Sequence, residues 1–489
     1  MDVTSPVARA LVQPHIVQSI CNELPPESLV AAALINRNFF TYATEAKWSE
    51  APLWALAQRV QVSRRQRYAS KVRDVALSES QMRKHADALR RVQFDGLRTL
   101  LLAHYSSPRL VADDVAAAAK GDDRYHERLH RYLPAGLRAL SLSDCHLTDA
   151  LLRTFRRRCT RLRSLRLDTY WPDFSYDALV AVLAANPLLE DLRLEPRDAG
   201  VSPEGELHGP LLVQCARQRK LRALHFGPSL RLPVDALQQI AAEHAAPFPA
   251  LERLLGVVPS MAIPLLARWC EDMIDMVLNV QDTDVSILEA ASKMKKLRRL
   301  RVHFVQETTF CKAEILSLQS LSRMESLCLY SEALGEEGFP EFPLTCDEVQ
   351  TWIACFPLMR ELELEVRMTS SQSYLAALMT VASCCPRLER IMWPGAIDFT
   401  NLNLPLLTRP LFPSLQLLHV AFARTGGDRK KFPENCAEEE VTEIIRKHFP
   451  KLYRFVVEHK NDTPGILAIK KAFRSYERLN HSAEYGWFY

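Results

Sequence analysis

Residues 162–167 read "LRSLRL". Leu165 and Leu167 are two apart, so in an extended chain they share one face, and Leu162 turns in just ahead of them. The same apolar-x-x-apolar-x-apolar pattern stands as "LRTLLL" at 97, "LRALSL" at 137, "LEDLRL" at 189, "LRALHF" at 221 and, more weakly, "LERLLG" at 251. It continues as "MIDMVL" at 273, "LRRLRV" at 297, "MESLCL" at 324, "MRELEL" at 359, "LERIMW" at 388, "LQLLHV" at 415 and "LYRFVV" at 452. Thirteen starts between 97 and 452 spread over twelve intervals, a period of about 30 residues.

Between these short strands lie segments whose apolar residues fall at helical spacing, such as "SYDALVAVLAANP" (175–187) and "SQSYLAALMTVASCCP" (371–386). Several end on a proline that stops the helix before the next strand: Pro187, Pro357, Pro386, Pro413 and Pro450. One helix plus one strand cannot bury its apolar face alone, so neighbours must stack into a solenoid with a parallel sheet on its concave side. The period, together with "CCPRLERI" (384–391) and its relative "CFPLMREL" (355–362), resembles the cysteine-containing subclass of leucine-rich repeats. Cys355 and Cys385 read as small core residues. The stretch "TPGILAIKKAFRSYERLN" (463–480) is expected to cap the end of the array, ahead of an aromatic tail.

The chain has 489 residues, more than one ordinary core holds. Its 62 basic and 58 acidic groups nearly cancel, which argues against bulk nucleic-acid binding. The N-terminus carries no signal-like pattern and no apolar run reaches membrane-spanning length, so a cytoplasmic or nuclear location with reduced thiols for the 12 cysteines is expected.

Residues 11–48 do not fit the repeat. They read as three short helices: one over roughly 14–23 opening on Pro14, one after "LPPE" with Pro26 near its first turn, and one carrying Phe39, Phe40, Ala43 and Trp48. So small a module should be stabilised by a partner or by its neighbour. The stretch "QPHIVQSICNELPPESLVAAALINRNFFTYATEAKW" resembles an F-box through Val12, Pro14, Ile16, Ile20, Leu24, Pro26, Leu29, Ala33, Leu34, Arg37, Phe39 and Trp48. It departs from the family at Gln13, where leucine is usual, and at Phe39, where tryptophan is common. With the repeats behind it, the whole resembles F-box/leucine-rich-repeat proteins, especially the fungal type with irregular repeats. The fold class expected is thus α/β: a three-helix F-box at 8–55, a helical connector at 56–95, a solenoid of about 13 repeats at 96–462, and a cap and tail at 463–489.

That resemblance implies a non-catalytic substrate receptor of an SCF-type ubiquitin ligase. The helices would dock on the Skp-type adaptor, and through it a cullin, by way of Pro14, Ile16, Ile20, Leu24, Pro26, Leu29 and Phe39. The repeats would hold a protein substrate; no cofactor and no membrane partner are expected. The alternative is a repeat scaffold acting outside a ligase. On the strands, residues between the pattern leucines should face outward. Candidate substrate contacts are Arg166, Arg193, His225, Arg299, Arg301, Glu361 and Glu363, with Ser141, Glu365 and His419 in equivalent places. They read as a basic first half and an acidic later stretch. Two competing chemistries are weaker. "HERLH" (126–130) has the His-Glu-x-x-His spacing of a zinc site, but Arg128 and Arg131 crowd it and Gly136 stands where a third histidine ligand would fall. The basic runs at 153–166 and 293–301 lack the interleaved aromatics of a nucleic-acid stacking platform.

Overall fold

In the computed structural model the described residues are 10–50, 52–105, 129–170, 174–197, 205–306, 308–331, 341–365, 367–368, 374–398, 409–424 and 446–457. They belong to two compact units, Met1–Ser229 and Leu230–Tyr489.

The first unit opens with the three expected helices, α1 (Pro14–Glu23), α2 (Ser28–Ala32) and α3 (Arg37–Ser49). Pro14 lies in the first turn of α1, where its missing N–H costs nothing. Asn36 caps α3, its side-chain oxygen accepting from the Phe39 N–H at 3.0 Å. Val17, Cys21, Leu29, Ala32, Phe39 and Ala43 make a small core of their own, with Ile20 and Leu24 packed half-buried against it. Helices at Leu53–Gln58 and Val62–Ala69 follow. The Trp48 ring rests on Tyr68 at 4.8 Å, which ties α3 to the second of them.

Then come β1 (Asp74–Ser78), β2 (Thr99–Ala103), β3 (Ala139–His146), β4 (Ser164–Tyr170), β5 (Asp191–Pro196), β6 (Gly205–Glu206) and β7 (Ala223–Phe226). Six of these pair in parallel in the order β1-β2-β3-β4-β5-β7. Their registers place Leu100, Leu140, Leu165, Leu192 and Leu224 in one buried row. Each such leucine contributes about 1.5–3 kcal/mol on leaving water. The helices Asp149–Arg158, Tyr176–Ala184 and Gly209–Ala216 pack side by side and bury Leu152, Phe155, Leu179, Leu183 and Leu212. Asn186 shows how a buried polar group is accommodated between repeats: it accepts from the Leu162 N–H and donates to the Val182 carbonyl, both at 2.9 Å.

The second unit holds β8 (Leu230–Arg231), β9 (Arg253–Val258), β10 (Asp275–Val280), β11 (Arg299–Phe304), β12 (Ser326–Ser331), β13 (Glu341–Phe342), β14 (Glu361–Leu364), β15 (Arg367–Met368), β16 (Arg390–Asp398), β17 (Leu417–Arg424) and β18 (Arg454–Val457). Eight of them pair in parallel in the order β9-β10-β11-β12-β14-β16-β17-β18. Leu254, Met276, Leu300, Leu327, Leu362, Ile391, Leu418 and Phe455 form the buried row. Each unit is an α/β repeat array, its strands parallel in a sheet and its helices packed side by side.

All thirteen pattern starts precede a strand. The expected helical connector at 56–95 needs correction, because it contains β1. Val72, Val75 and Leu77 are buried there at the same spacing, and Asp74 pairs with Thr99 in register. Valines replace the leucines and helical flanks surround them, so the short strand was masked by its neighbours' periodicity. The cap and tail expected at 463–489 lie outside the described residues. No described helix is long and apolar enough to cross a membrane.

Candidate functional site

Two surfaces could carry function, the helical cluster and the open face of the sheets. On the cluster, the residues implied as adaptor contacts separate into three groups. Pro14 and Pro26 are exposed, and Ile16, Ile20 and Leu24 are half-buried. Leu29 and Phe39 are only 4% exposed, so they hold the cluster together and present no surface. The exposed apolar side chains are others: Val12, Val30, Leu34, Ile35 and Phe40, with Leu34 82% and Ile35 62% accessible. Val30, Leu34, Ile35 and Phe40 flank the α2–α3 connection in the chain, and Asn38, in the first turn of α3, donates to the Val12 carbonyl at 3.4 Å. Leu34 belongs to the F-box-like pattern; Ile35 and Val30 do not, and only their exposure distinguishes them.

On the first unit's open face, Arg166, Arg193 and His225 stand in one register row across β4, β5 and β7. They do not form a bare basic stripe. Arg166 pairs with Asp191 at 3.1 Å, Arg193 with Glu195 at 2.7 Å, and the His225 Nε2 lies 3.1 Å from Glu195. Burial, then the Arg193 charge, pushes the His225 pKa down to about 4, so the imidazole is neutral at pH 7. At the end of β3 a bulge between Ser143 and Cys145 leaves Asp144 at φ 52°, beside His104 at φ 51°. Asp144 meets Arg197, which also grips Asp168.

On the second unit's open face, Arg299 pairs with Asp275 at 2.7 Å and Arg301 with Glu361 at 2.6 Å. Glu361 and Glu363, expected as exposed contacts, are buried at 8% and 5% exposure. The physical reason is packing of long side chains over them: Arg390 lies 3.3 Å from both carboxylates, and the Ser326 hydroxyl and Tyr330 phenol donate to Glu361 and Glu363 respectively. Burial alone would raise the Glu361 pKa. The Ser326 hydrogen bond and the Arg301 and Arg390 guanidiniums outweigh it and hold the carboxyl below its usual range. Glu365 and His419 are half-buried, as is Ser141 on the first unit.

Cys328, Glu361 and Glu363 lie close enough for their ligand atoms to share a cation. The donor set does not fit one. Two guanidiniums already occupy the carboxylate oxygens, and burial and the two carboxylates push the Cys328 thiol far up, opposing the thiolate a metal requires. The other buried thiols are equally unreactive: burial raises Cys145 to about 11 and Cys159, Cys215, Cys270 and Cys385 to about 12. The described cysteines are unbridged, and Cys385 is a core residue while Cys355 is half-buried. Of "HERLH", residues 126–128 lie outside the described residues.

The residues missed on both faces are the carboxylates Asp191, Glu195 and Asp275, which neutralise the arginines that were singled out. Asp191 and Glu195 stand two positions either side of Arg193 on β5, where period-2 alternation could have found them, and Asp275 stands directly opposite Arg299 in the register of β10 and β11.

No protein-family model matches this chain, and no curated protein matches it. Among solved structures, the crystal structure of the TLR13–ssRNA13 complex is similar to it with a TM-score of 0.34 and 12% identity. The likeness covers 81% of this chain and 50% of that one, so this chain spans about half that protein's length.

Proposed function

We propose that this chain is a non-catalytic protein-interaction receptor: its N-terminal helices dock on a Skp-type adaptor of an SCF ubiquitin ligase, and its repeat faces hold a protein substrate. The observation that carries the docking half is the apolar surface at the α2–α3 turn, where Val30, Leu34, Ile35 and Phe40 are exposed on a module with its own core. Four large apolar side chains exposed on so small a body are costly in water unless a partner covers them. The F-box resemblance of the same stretch names the adaptor as that partner. Docking would raise the effective concentration of a bound substrate near the ubiquitin-charged partner, with no chemistry asked of this chain.

The paired arginines and carboxylates of the open faces support the substrate half. They present fixed, geometrically defined donors and acceptors, which favour specificity over raw attraction.

The test is a pull-down of purified full-length chain with a purified Skp-type adaptor. Wild type should bind, and Leu34→Glu with Ile35→Glu should abolish binding while leaving the thermal unfolding midpoint in place. Leu29→Ala should instead lower the midpoint. A wild-type chain that does not bind the adaptor would sink the ligase reading and leave a scaffold acting outside a ligase.

A further inference from the structure

One row of side chains stands immediately before the strands, at the edge of each sheet. In the first unit the row reads Arg73, Arg98, Arg138, Arg163, Glu190 and Arg222. The backbone locks it in place: Arg98 N donates to Arg73 O at 2.7 Å, Arg138 N to Arg98 O at 2.7 Å, Arg163 N to Arg138 O at 2.6 Å, and Glu190 N to Arg163 O at 2.7 Å. Four arginines therefore sit on successive strands, about 4.8 Å apart.

In the second unit the same backbone ladder runs from Glu252 and Ile274 through four charged residues to Gln416 and Tyr453. There Arg298, Glu325, Arg360 and Glu389 alternate in sign, with Arg298 and Glu325 at 3.2 Å and Arg360 and Glu389 at 2.6 Å. In the first unit the alternation fails. Arg73 donates to the Gly96 carbonyl and Arg163 meets Glu190 at 3.1 Å. Arg98 and Arg138 are exposed, and neither guanidinium meets a carboxylate among the described residues. Like charges directly opposite on neighbouring strands are destabilising. The helix Asp149–Arg158 adds to the excess, since Arg156, Arg157 and Arg158 close it and Arg161 follows, all exposed.

We infer that this arginine row is a docking edge for an acidic polypeptide segment of a partner. The backbone of the row is fixed by hydrogen bonds, Arg98 and Arg138 meet no carboxylate among the described residues where Arg298 and Arg360 of the second unit each meet one, and the sign of the charge selects an anion. Exposed aromatics, on which bases would stack, do not interrupt the row, so a carboxylate-rich chain fits better than a nucleic acid. The edge is separate from the α2–α3 turn, and its test does not involve the adaptor.

The experiment is fluorescence anisotropy of a labelled oligoglutamate peptide titrated with the full chain at low salt, alongside a labelled oligothymidylate. Arg138→Glu restores the alternation, placing a carboxylate between Arg98 and Arg163. Peptide affinity should fall about tenfold or more, while the thermal midpoint stays level or rises, as expected of a residue kept for binding at the expense of stability. Arg138→Gln should fall between the two. Arg323→Glu, an equal charge change at an exposed turn of the second unit, should leave affinity within about twofold. Unchanged peptide affinity in Arg138→Glu, or an equal loss in Arg323→Glu, would overturn the proposal. So would oligothymidylate that binds more tightly than the peptide and is lost in Arg138→Glu, which would make the edge a nucleic-acid surface.

Discussion

Replacing Glu361 by alanine tests whether the polar cluster on the second unit's face is a structural clamp. Glu361 and Ser326 are both buried, and their hydrogen bond is 2.5 Å long. A bond of this kind to a charged acceptor contributes about 1.5–3 kcal/mol. Arg301 at 2.6 Å and Arg390 at 3.3 Å have side chains about a third exposed, so solvent screening limits each ion pair to about 0.5–1 kcal/mol. The loss on Glu361→Ala should therefore be about 3 kcal/mol, and Glu361→Gln, which keeps an acceptor for Ser326, should lose about 1–2 kcal/mol. Urea unfolding followed by fluorescence of Trp352 and Trp393, both buried in this unit, reads the change directly. The pH dependence supplies a second reading. The folded-state pKa of Glu361 lies below its unfolded value of about 4.3, so its contribution is complete above that pH and is lost as pH falls through the lower folded value. Wild type should lose stability more steeply below about pH 4.3 than Glu361→Gln does. A Glu361→Ala midpoint within about 0.5 kcal/mol of wild type, or matching acid limbs, would refute the clamp.

Three further outcomes follow from the same geometry. A Cβ at Gly96 would lie 2.3 Å from the Ser70 carbonyl oxygen and 2.4 Å from an Arg73 nitrogen, so Gly96→Ala should cost about 1–3 kcal/mol in a denaturant melt; an unchanged melt would mean that the connector yields. His225 binds its proton near pH 4 when folded and near 6.5 when unfolded, so the unfolded state takes up more protons between those values and stability falls as pH drops from 6.5 to 4. His225→Gln should flatten that limb, and a two-dimensional NMR titration should give the low midpoint; a midpoint near 6.5 would contradict the burial. Among the described cysteines, exposed Cys311 should alkylate first, while Cys215 and Cys270 should react only at the rate of unfolding, as mass spectrometry of a timed iodoacetamide quench would show.

The repeat array was legible because its signal is local: Leu165 and Leu167 share a face by the period of a strand, and one turn of pattern every 30 residues or so repeats that constraint thirteen times. The α1–α3 cluster was legible for a similar reason, since Pro14 and Pro26 mark helix starts and Ile16, Val17 and Ile20 fall at helical spacing on one face. The strand β1 was lost because three apolar residues in a basic, helix-like setting carry too little local information, and only pairing of Asp74 with Thr99 in the next repeat identifies it.

The sites depended on what lies beside each residue in space. Period-2 alternation put Arg166 and Arg301 on the face opposite the buried leucine row. It could not say that Arg166 meets Asp191, 25 residues on, or that Arg301 meets Glu361, 60 residues on. Nor could it say that Phe39 faces inward while Leu34 faces water. A sequence determines the face on which a side chain emerges, because that follows from backbone period alone. Its burial, charge partner and pKa belong to the tertiary structure, because they are set by neighbours that register and packing bring within a few ångströms.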